Sequence, residues 1–185
     1  WPDPVLSEIA CPVEVVDASI ETLIQDLFDT MYEARGVGLA ATQVAVLQRV
    51  LVIDLDPSGE ALHDKEYAEQ LQGWGFEGPQ AFINPEIVES SGGIWWEEGC
   101  LSVPGITEKV NRCESIRVKA LNAKGESFEL SVSGLYAVAI QHEMDHLDGK
   151  VFVEYLSKLK RDVVKRKMLK LKTQTDDGVE AALSF

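Results

Sequence analysis

Residues 139–147 read Ala139-Ile140-Gln141-His142-Glu143-Met144-Asp145-His146-Leu147, two histidines four apart on an apolar stretch with a glutamate beside the first. On a helix, positions four apart share a face, so both imidazoles can reach one cation while Glu143 stands beside it to handle a water molecule. That is the chemistry of a metal-dependent hydrolase, and two of the chain's three histidines are spent on it. A catalytic site of this kind needs a third protein donor. The histidine that one large protease class places six residues further on is Phe152 in this chain. His63 lies among Asp, Glu, Gln and Gly and reads as a solvated surface histidine. The thiols Cys11, Cys100 and Cys113 are odd in number and lack paired spacing, which fits free thiols in a reducing compartment. Cys11 and Cys113 read as small buried or half-buried side chains. Cys100 stands in Trp95-Trp96-Glu97-Glu98-Gly99-Cys100-Leu101-Ser102-Val103-Pro104-Gly105, where Gly99 permits close backbone approach and Pro104-Gly105 marks a turn. That context leaves Cys100 open between third ligand and ordinary thiol.

The elements that must position these groups are legible from periodicity. Apolar Ile20, Leu23, Ile24, Leu27, Phe28 and Met31 predict a helix over 20–34, capped by Asp17 or Ser19. The run Val50-Leu51-Val52-Ile53 predicts a buried strand that stops at Asp56-Pro57. Residues 58–80 are polar, glycine-bearing and long for a connection, so they read as an insertion with some helix near 65–71. Strands are expected at 81–83, 87–89, 106–111, 115–121 and 127–131, with Asn122-Ala123-Lys124-Gly125 as a hairpin turn. The motif helix should begin near Ser133. Helix, strands, then a histidine-bearing apolar helix give an α+β fold with the motif helix buried against sheets and a further C-terminal helix. Residues 1–172 are expected to form one domain, and 173–185 a loose tail. On the motif helix, Leu135, Val138, Ala139 and His142 share the metal-facing side, where the first three either floor an apolar pocket or simply fill the core. Gly36 and Gly38 suggest a flat backbone edge against which a peptide can pair.

Net charge is −14, which opposes general nucleic-acid affinity, so no DNA partner is expected. The cations are concentrated: residues 158–172 hold eight basic residues and one acid, against nine basic and thirty acidic elsewhere. Leu159, Val163, Met168 and Leu171 recur there at near-helical spacing, as in a packed helix with a charged outer face. No apolar run is long enough to cross a bilayer, so no membrane partner is expected. The expected location is the bacterial cytoplasm; an organelle stays open because the chain begins at Trp1 and a targeting segment can have preceded it.

Three segments, Gly36-Val37-Gly38-Leu39-Ala40-Ala41-Thr42-Gln43, Glu98-Gly99-Cys100-Leu101-Ser102 and Gln141-His142-Glu143-Met144-Asp145-His146-Leu147, resemble in order and separation the three motifs of the peptide deformylases of bacteria and organelles. The resemblance implies antiparallel sheets packed around a central metal-binding helix. It implies Cys100, His142 and His146 as ligands of one divalent ion, Fe(II) natively, with Zn, Ni or Co able to substitute. It implies removal of the formyl group from nascent formylmethionyl peptides, with Glu143 as acid and base and with the Gln43 side chain and the Leu101 backbone N–H facing the oxyanion. Val37, Gly38, Leu39, Trp96 and Gly99 match substrate-contacting positions, with an unbranched methionine side chain as occupant. Glu98 and Arg112 match a buried ion pair. Bacterial members also use a basic C-terminal helix to dock on the ribosome, which maps to Lys158–Lys172. Two positions depart from the pattern: Gly105-Ile106-Thr107 stands where an arginine is common, and Arg35 where glutamate is common. Two other classes share the histidine motif, a metallopeptidase and a noncatalytic metal-binding module.

Overall fold

Helix α1, Ala18–Glu33, starts where Asp17 accepts from the backbone N–H groups of Ser19 and Ile20, and it buries Ile20, Ile24, Leu27 and Met31 along one stripe. The computed structural model describes the backbone of residues 1–183 and side chains as far as Thr173. After α1 come β1 (Gly38–Ala40), β2 (Val50–Ile53), α2 (Lys65–Gly73), β3 (Gln80–Ser91), β4 (Ile94–Gly99), β5 (Thr107–Arg112), β6 (Ser115–Leu121), β7 (Ser127–Ser133), α3 (Gly134–Leu147) and α4 (Lys158–Leu183). Every strand pairing is antiparallel. One sheet has five strands in the order β1-β2-β3-β6-β7, and β4-β5 form a separate two-stranded ribbon.

The expected α+β plan is what the chain adopts, with three departures. The strands expected at 81–83 and 87–89 are one strand, β3, because a register shift between Ile83 and Glu86 absorbs Pro85, which has no N–H to give the ladder. Asn84 there takes φ 52° and uses its side chain to bond both backbone groups of Val13, at 2.8 Å each. β1 and β4 went unread from the sequence. β1 is only three residues long and wholly buried, so it lacks alternation, and β4 carries two adjacent tryptophans and ends on glycine. Finally, the segment read as a loose tail from 173 continues α4 as backbone helix to Leu183, since no proline interrupts it and Ala181-Ala182-Leu183 favour helix. Residues 184 and 185 lie outside the described residues.

α4 packs on a face rotated from the one its spacing suggested, with Met168 common to both. Val164 and Met168, four apart, are buried against Leu6, Val103, Val110 and Val151-Phe152-Val153. Leu159, at 74% exposed, and Val163, at 51%, face outward. Periodicity gave the helix and misjudged its rotation by about one residue.

The insertion is folded onto the body. Asp64 caps α2 at the Tyr67 N–H, the Tyr67 hydroxyl donates to Leu55 O at 2.6 Å, and Leu71 and Phe76 enter the main core beside Tyr136. α3 is buried nearly all round, with Ala137, Ile140, His146 and Leu147 at or near zero exposure. Its histidine face is therefore held by packing from the sheet on one side and the ribbon on the other. No helix among the described residues is long and apolar enough to cross a membrane.

Candidate metal centre

His142 and His146 lie one turn apart on α3 with ring centroids 5.1 Å apart. Cys100 follows the last residue of β4, and the ribbon lays its sulfur against the same face, 3.2 Å from His146 Nε2. The three ligand atoms all fall within 4.8 Å of one another, the only such grouping among the described residues. A one-turn loop closed by Val103 N–H on Cys100 O directs the sulfur inward, and the Ser102 N–H lies 3.4 Å from it. One thiol and two imidazoles at this separation fit a borderline-soft divalent ion, and three protein donors leave a tetrahedral ion one position for water or substrate.

Groups behind the donors fix their orientation. His142 Nδ1 lies 2.7 Å from Glu98 Oε2, which turns Nε2 toward the centre. Glu98 is gripped in bidentate fashion by Arg112, at 2.6 and 3.0 Å, and Arg112 reaches Asp145 at 2.6 Å. The same guanidinium lies 4.8 Å over the Tyr155 ring, and the Tyr155 hydroxyl donates to Asp145. Thr42, fully buried, donates to His146 O at 3.0 Å. The sequence reading reached Glu98 and Arg112 but missed Asp145, Tyr155 and Thr42. Asp145 carries a signal within the motif: it follows His142 by three and so shares that side of the helix.

The electrostatics follow from burial and from these partners. Burial works against a charged His142 ring, but hydrogen bonding to Cys100 and Glu98 and the field of Glu143 outweigh it and raise its pKa to about 10. A bound cation competes directly for that proton. His146, desolvated and facing His142 and Arg112, is lowered to about 3 and stays neutral, the form that coordinates. Burial lifts Glu143 to about 7, against the field of His142, which lowers it. Glu143 Oε2 and His146 Nδ1 are buried atoms with no hydrogen-bond partner among the described residues. A carboxylate oxygen left so beside a ligand cluster is suited to a water or polar substrate atom.

The cluster opens into a cavity of about 550 Å³. Of the residues singled out from sequence, Val37, Gly38, Gln43, Trp96, Gly99, Cys100, Leu101, Leu135, Val138, Ala139, His142 and Glu143 all line it. Leu135, Val138 and Ala139 thus serve both readings, since Val138 and Ala139 are also core residues. Leu39 does not line it: strand alternation turns its side chain into the core formed with α1, leaving only its backbone in β1. His146 lies behind the wall at 1% exposed. Gln43 is held by both ends of its amide, accepting from the Ala40 N–H at 2.8 Å and donating to Ser102 Oγ at 3.1 Å, with Nε2 3.8 Å from the Cys100 sulfur. It is a loop cap whose N–H₂ faces the donors. His63 is exposed on the insertion and outside the cluster. Cys113 is half-buried as read, but Cys11 is exposed, because its backbone bonds to Leu47 and Arg49 and turns the side chain outward.

An α+β scaffold that converges two helical histidines, one ribbon thiol and a buried carboxyl on the end of an apolar cavity defines a metal-dependent hydrolase. The family model described as polypeptide deformylase matches residues 1–162. Peptide deformylase 1 of Ralstonia nicotianae is 53% identical over 171 residues, covering 92% of this chain and 91% of its own. The fold matches the crystal structure of a peptide deformylase from Legionella pneumophila with a TM-score of 0.81 at 46% identity, over 95% of this chain and 94% of that one. A peptide deformylase from Ehrlichia chaffeensis, solved in complex with actinonin, gives 0.81 at 40% identity over 91% and 92%. The chain belongs to the polypeptide deformylase family.

Proposed function

We propose that this chain, through one catalytic domain over residues 1–172, hydrolyses the N-formyl group from the terminal formylmethionine of newly made polypeptides and releases formate. The observation that carries the reading is the buried Glu143 carboxyl, with one oxygen unpartnered, beside the Cys100, His142 and His146 donors at the closed end of an apolar cavity. These three residues would hold one divalent ion, Fe(II) in this reading with Zn, Ni or Co able to substitute, which supplies Lewis acidity toward the formyl carbonyl and the attacking water. Glu143 takes the proton as water attacks the formyl carbon, then delivers it to the leaving amine. The Gln43 N–H₂ and the Leu101 N–H face the oxygen on which negative charge develops, and each such donor contributes about 3 kcal/mol to lowering the barrier.

β1 is an edge strand of its sheet, and its first residue, Gly38, lines the cavity together with Val37 just before it. An extended peptide pairs with that edge and lays its first side chain between Trp96, Leu135, Val138 and Ala139. Backbone pairing carries little sequence preference, which suits an enzyme acting on many nascent chains. Such chains suit a compartment where translation starts with formylmethionine, the bacterial cytoplasm first and an organelle as the alternative.

Anaerobically purified protein should contain stoichiometric metal, release formate from formyl-Met-Ala-Ser and leave acetyl-Met-Ala-Ser intact, because a formyl carbon carries only hydrogen whereas an acetyl group must fit a methyl beside the donors. Equal cleavage of both peptides rejects this reading in favour of a broader peptidase. Gly38→Ala reports on Glu143 placement: a Cβ there would lie 2.6 Å from Glu143 Oε1 and 3.0 Å from Ile53 Cδ1. We expect kcat to fall about 10- to 100-fold with KM changed little, since a misplacement of about 1 Å is enough for that. Wild-type kcat in this variant would mean that the carboxyl does not act from there.

The C-terminal helix suits docking on ribosomal RNA. Lys160 bonds Glu108 at 2.6 Å and Lys167 donates to Gly105 O, so those two cations tie the helix to the body. Lys165, Arg166 and Lys170 are exposed. Reversing these three charges should weaken ribosome co-sedimentation in a salt-dependent way while free formyl-peptide turnover holds. Unchanged co-sedimentation would defeat the docking role.

A further inference from the structure

The insertion that carries α2 packs through Trp74 against the back of Trp96, a wall residue of the substrate cavity. Trp74, the residue that ends α2, sets its indole edge-on to Trp96 with ring centroids 6.3 Å apart and an interplanar angle of 85°. On its other side the indole lies so close to Gly134, the first residue of α3, that a Cβ there would fall 2.1 Å from Trp74 Nε1. Gly134 takes φ 54°, so both conformation and space require glycine at this helix start. The backbone holds the contact as well: Ser133 N–H donates to Trp74 O at 3.1 Å, and Gly134 N–H to Glu114 O at 3.0 Å. Trp74 therefore stands between the ribbon and the motif helix, touching the neighbour of Leu135 on one side and Trp96 on the other.

Both Leu135 and Trp96 line the cavity proposed to take the methionine side chain. Behind them Trp74 lines a second, more open cavity of about 730 Å³ with Gly73, Gly75, Ser131 and Ser133. The aromatic pair is thus a partition, and without Trp74 the Trp96 ring has room to swing away from the substrate side. We propose that Trp74 is a positioning residue that fixes the Trp96 wall, so that the insertion sets which first side chains the enzyme accepts. This rests on the deformylase reading for its kinetic consequence but not for its structural one.

Trp74→Ala and Trp74→Phe test it with formyl-Met-Ala-Ser and formyl-Phe-Ala-Ser. In Trp74→Ala the preference for methionine over phenylalanine in kcat/KM should fall about tenfold, the order expected for loss of one apolar wall contact. The change should sit in KM, with kcat for the methionine peptide held within about threefold, and Trp74→Phe should restore most of the preference. A second measurement needs no turnover: ¹⁵N relaxation of the Trp96 indole N–H, assigned by its loss in Trp96→Phe, should show greater mobility in Trp74→Ala and near wild-type rigidity in Trp74→Phe. An unchanged preference together with a Trp96 ring as rigid as in wild type overturns the proposal, as does a uniform loss of kcat for both peptides. Should wild-type protein release no formate, the deformylase reading fails, and the relaxation measurement alone decides whether Trp74 holds Trp96.

Discussion

Glu143→Gln is expected to lower kcat for a formyl peptide by about 10²- to 10⁴-fold while metal content and peptide affinity stay near wild type. The substitution keeps the size of a side chain that is 5% exposed and packed closely against Gly38. It removes the one group able to accept a proton and return it, and leaves the Cys100, His142 and His146 donors unchanged. Elemental analysis, equilibrium peptide binding and single-turnover formate release separate the three quantities. A variant that turns over at a tenth of the wild-type rate or better, with metal retained, would remove Glu143 from the proton path. A metal-free variant would instead assign the carboxyl to ion retention, the behaviour of a binding module.

Arg112→Met is expected to cost about 3–5 kcal/mol of stability, because it leaves carboxylates without their cation in the interior. Arg112 and Glu98 have side chains only 5% and 3% exposed, and Asp145 has 14%. Burial alone would push the Glu98 carboxyl up, yet hydrogen bonds from Arg112 and His142 hold it below the usual carboxylate range. Buried Arg112 is likewise raised by its two acids. Without the guanidinium, Glu98 gains a proton or draws in water, and its 2.7 Å contact with His142 Nδ1 is the next to loosen. Urea unfolding at neutral pH should show the loss as a fall in midpoint, and metal affinity should drop with it. Arg112→Lys should recover only part, since an ammonium cannot form the two-pronged contact with Glu98. A loss below about 1 kcal/mol in Arg112→Met would show that the cluster is solvated and contributes little.

What the sequence disclosed follows the range of the interactions involved. α1 was legible because capping and 3.6-residue periodicity act within a few positions, and α3 with His142, Glu143 and His146 because an apolar run and a single turn bring the motif together. Cys100 could be placed beside them only through the family resemblance, since nothing local says where a thiol 42 positions before His142 will point. β1 and β4 were lost because their register is set by partners, Gly38 against Ile53 and Trp96 against Val110, and not by their own pattern. The Leu39 side chain faces the core for a related reason: a motif names neighbours in sequence, while a strand sends neighbours to opposite faces. Trp74 looked like part of an uninformative insertion, and only tertiary packing against Gly134 and Trp96 gives it a place near the chemistry.

The ribbon β4-β5 shares no ladder with the five-stranded sheet, yet it delivers both the sulfur donor and one wall of the cavity. One hairpin therefore couples a metal donor to a wall of the cavity, while the two imidazole donors ride on α3. Descendants of this chain can reshape the Trp96 wall by drift in the hairpin or in the insertion behind it, and the histidine pair on α3 need not change for a new preference to arise.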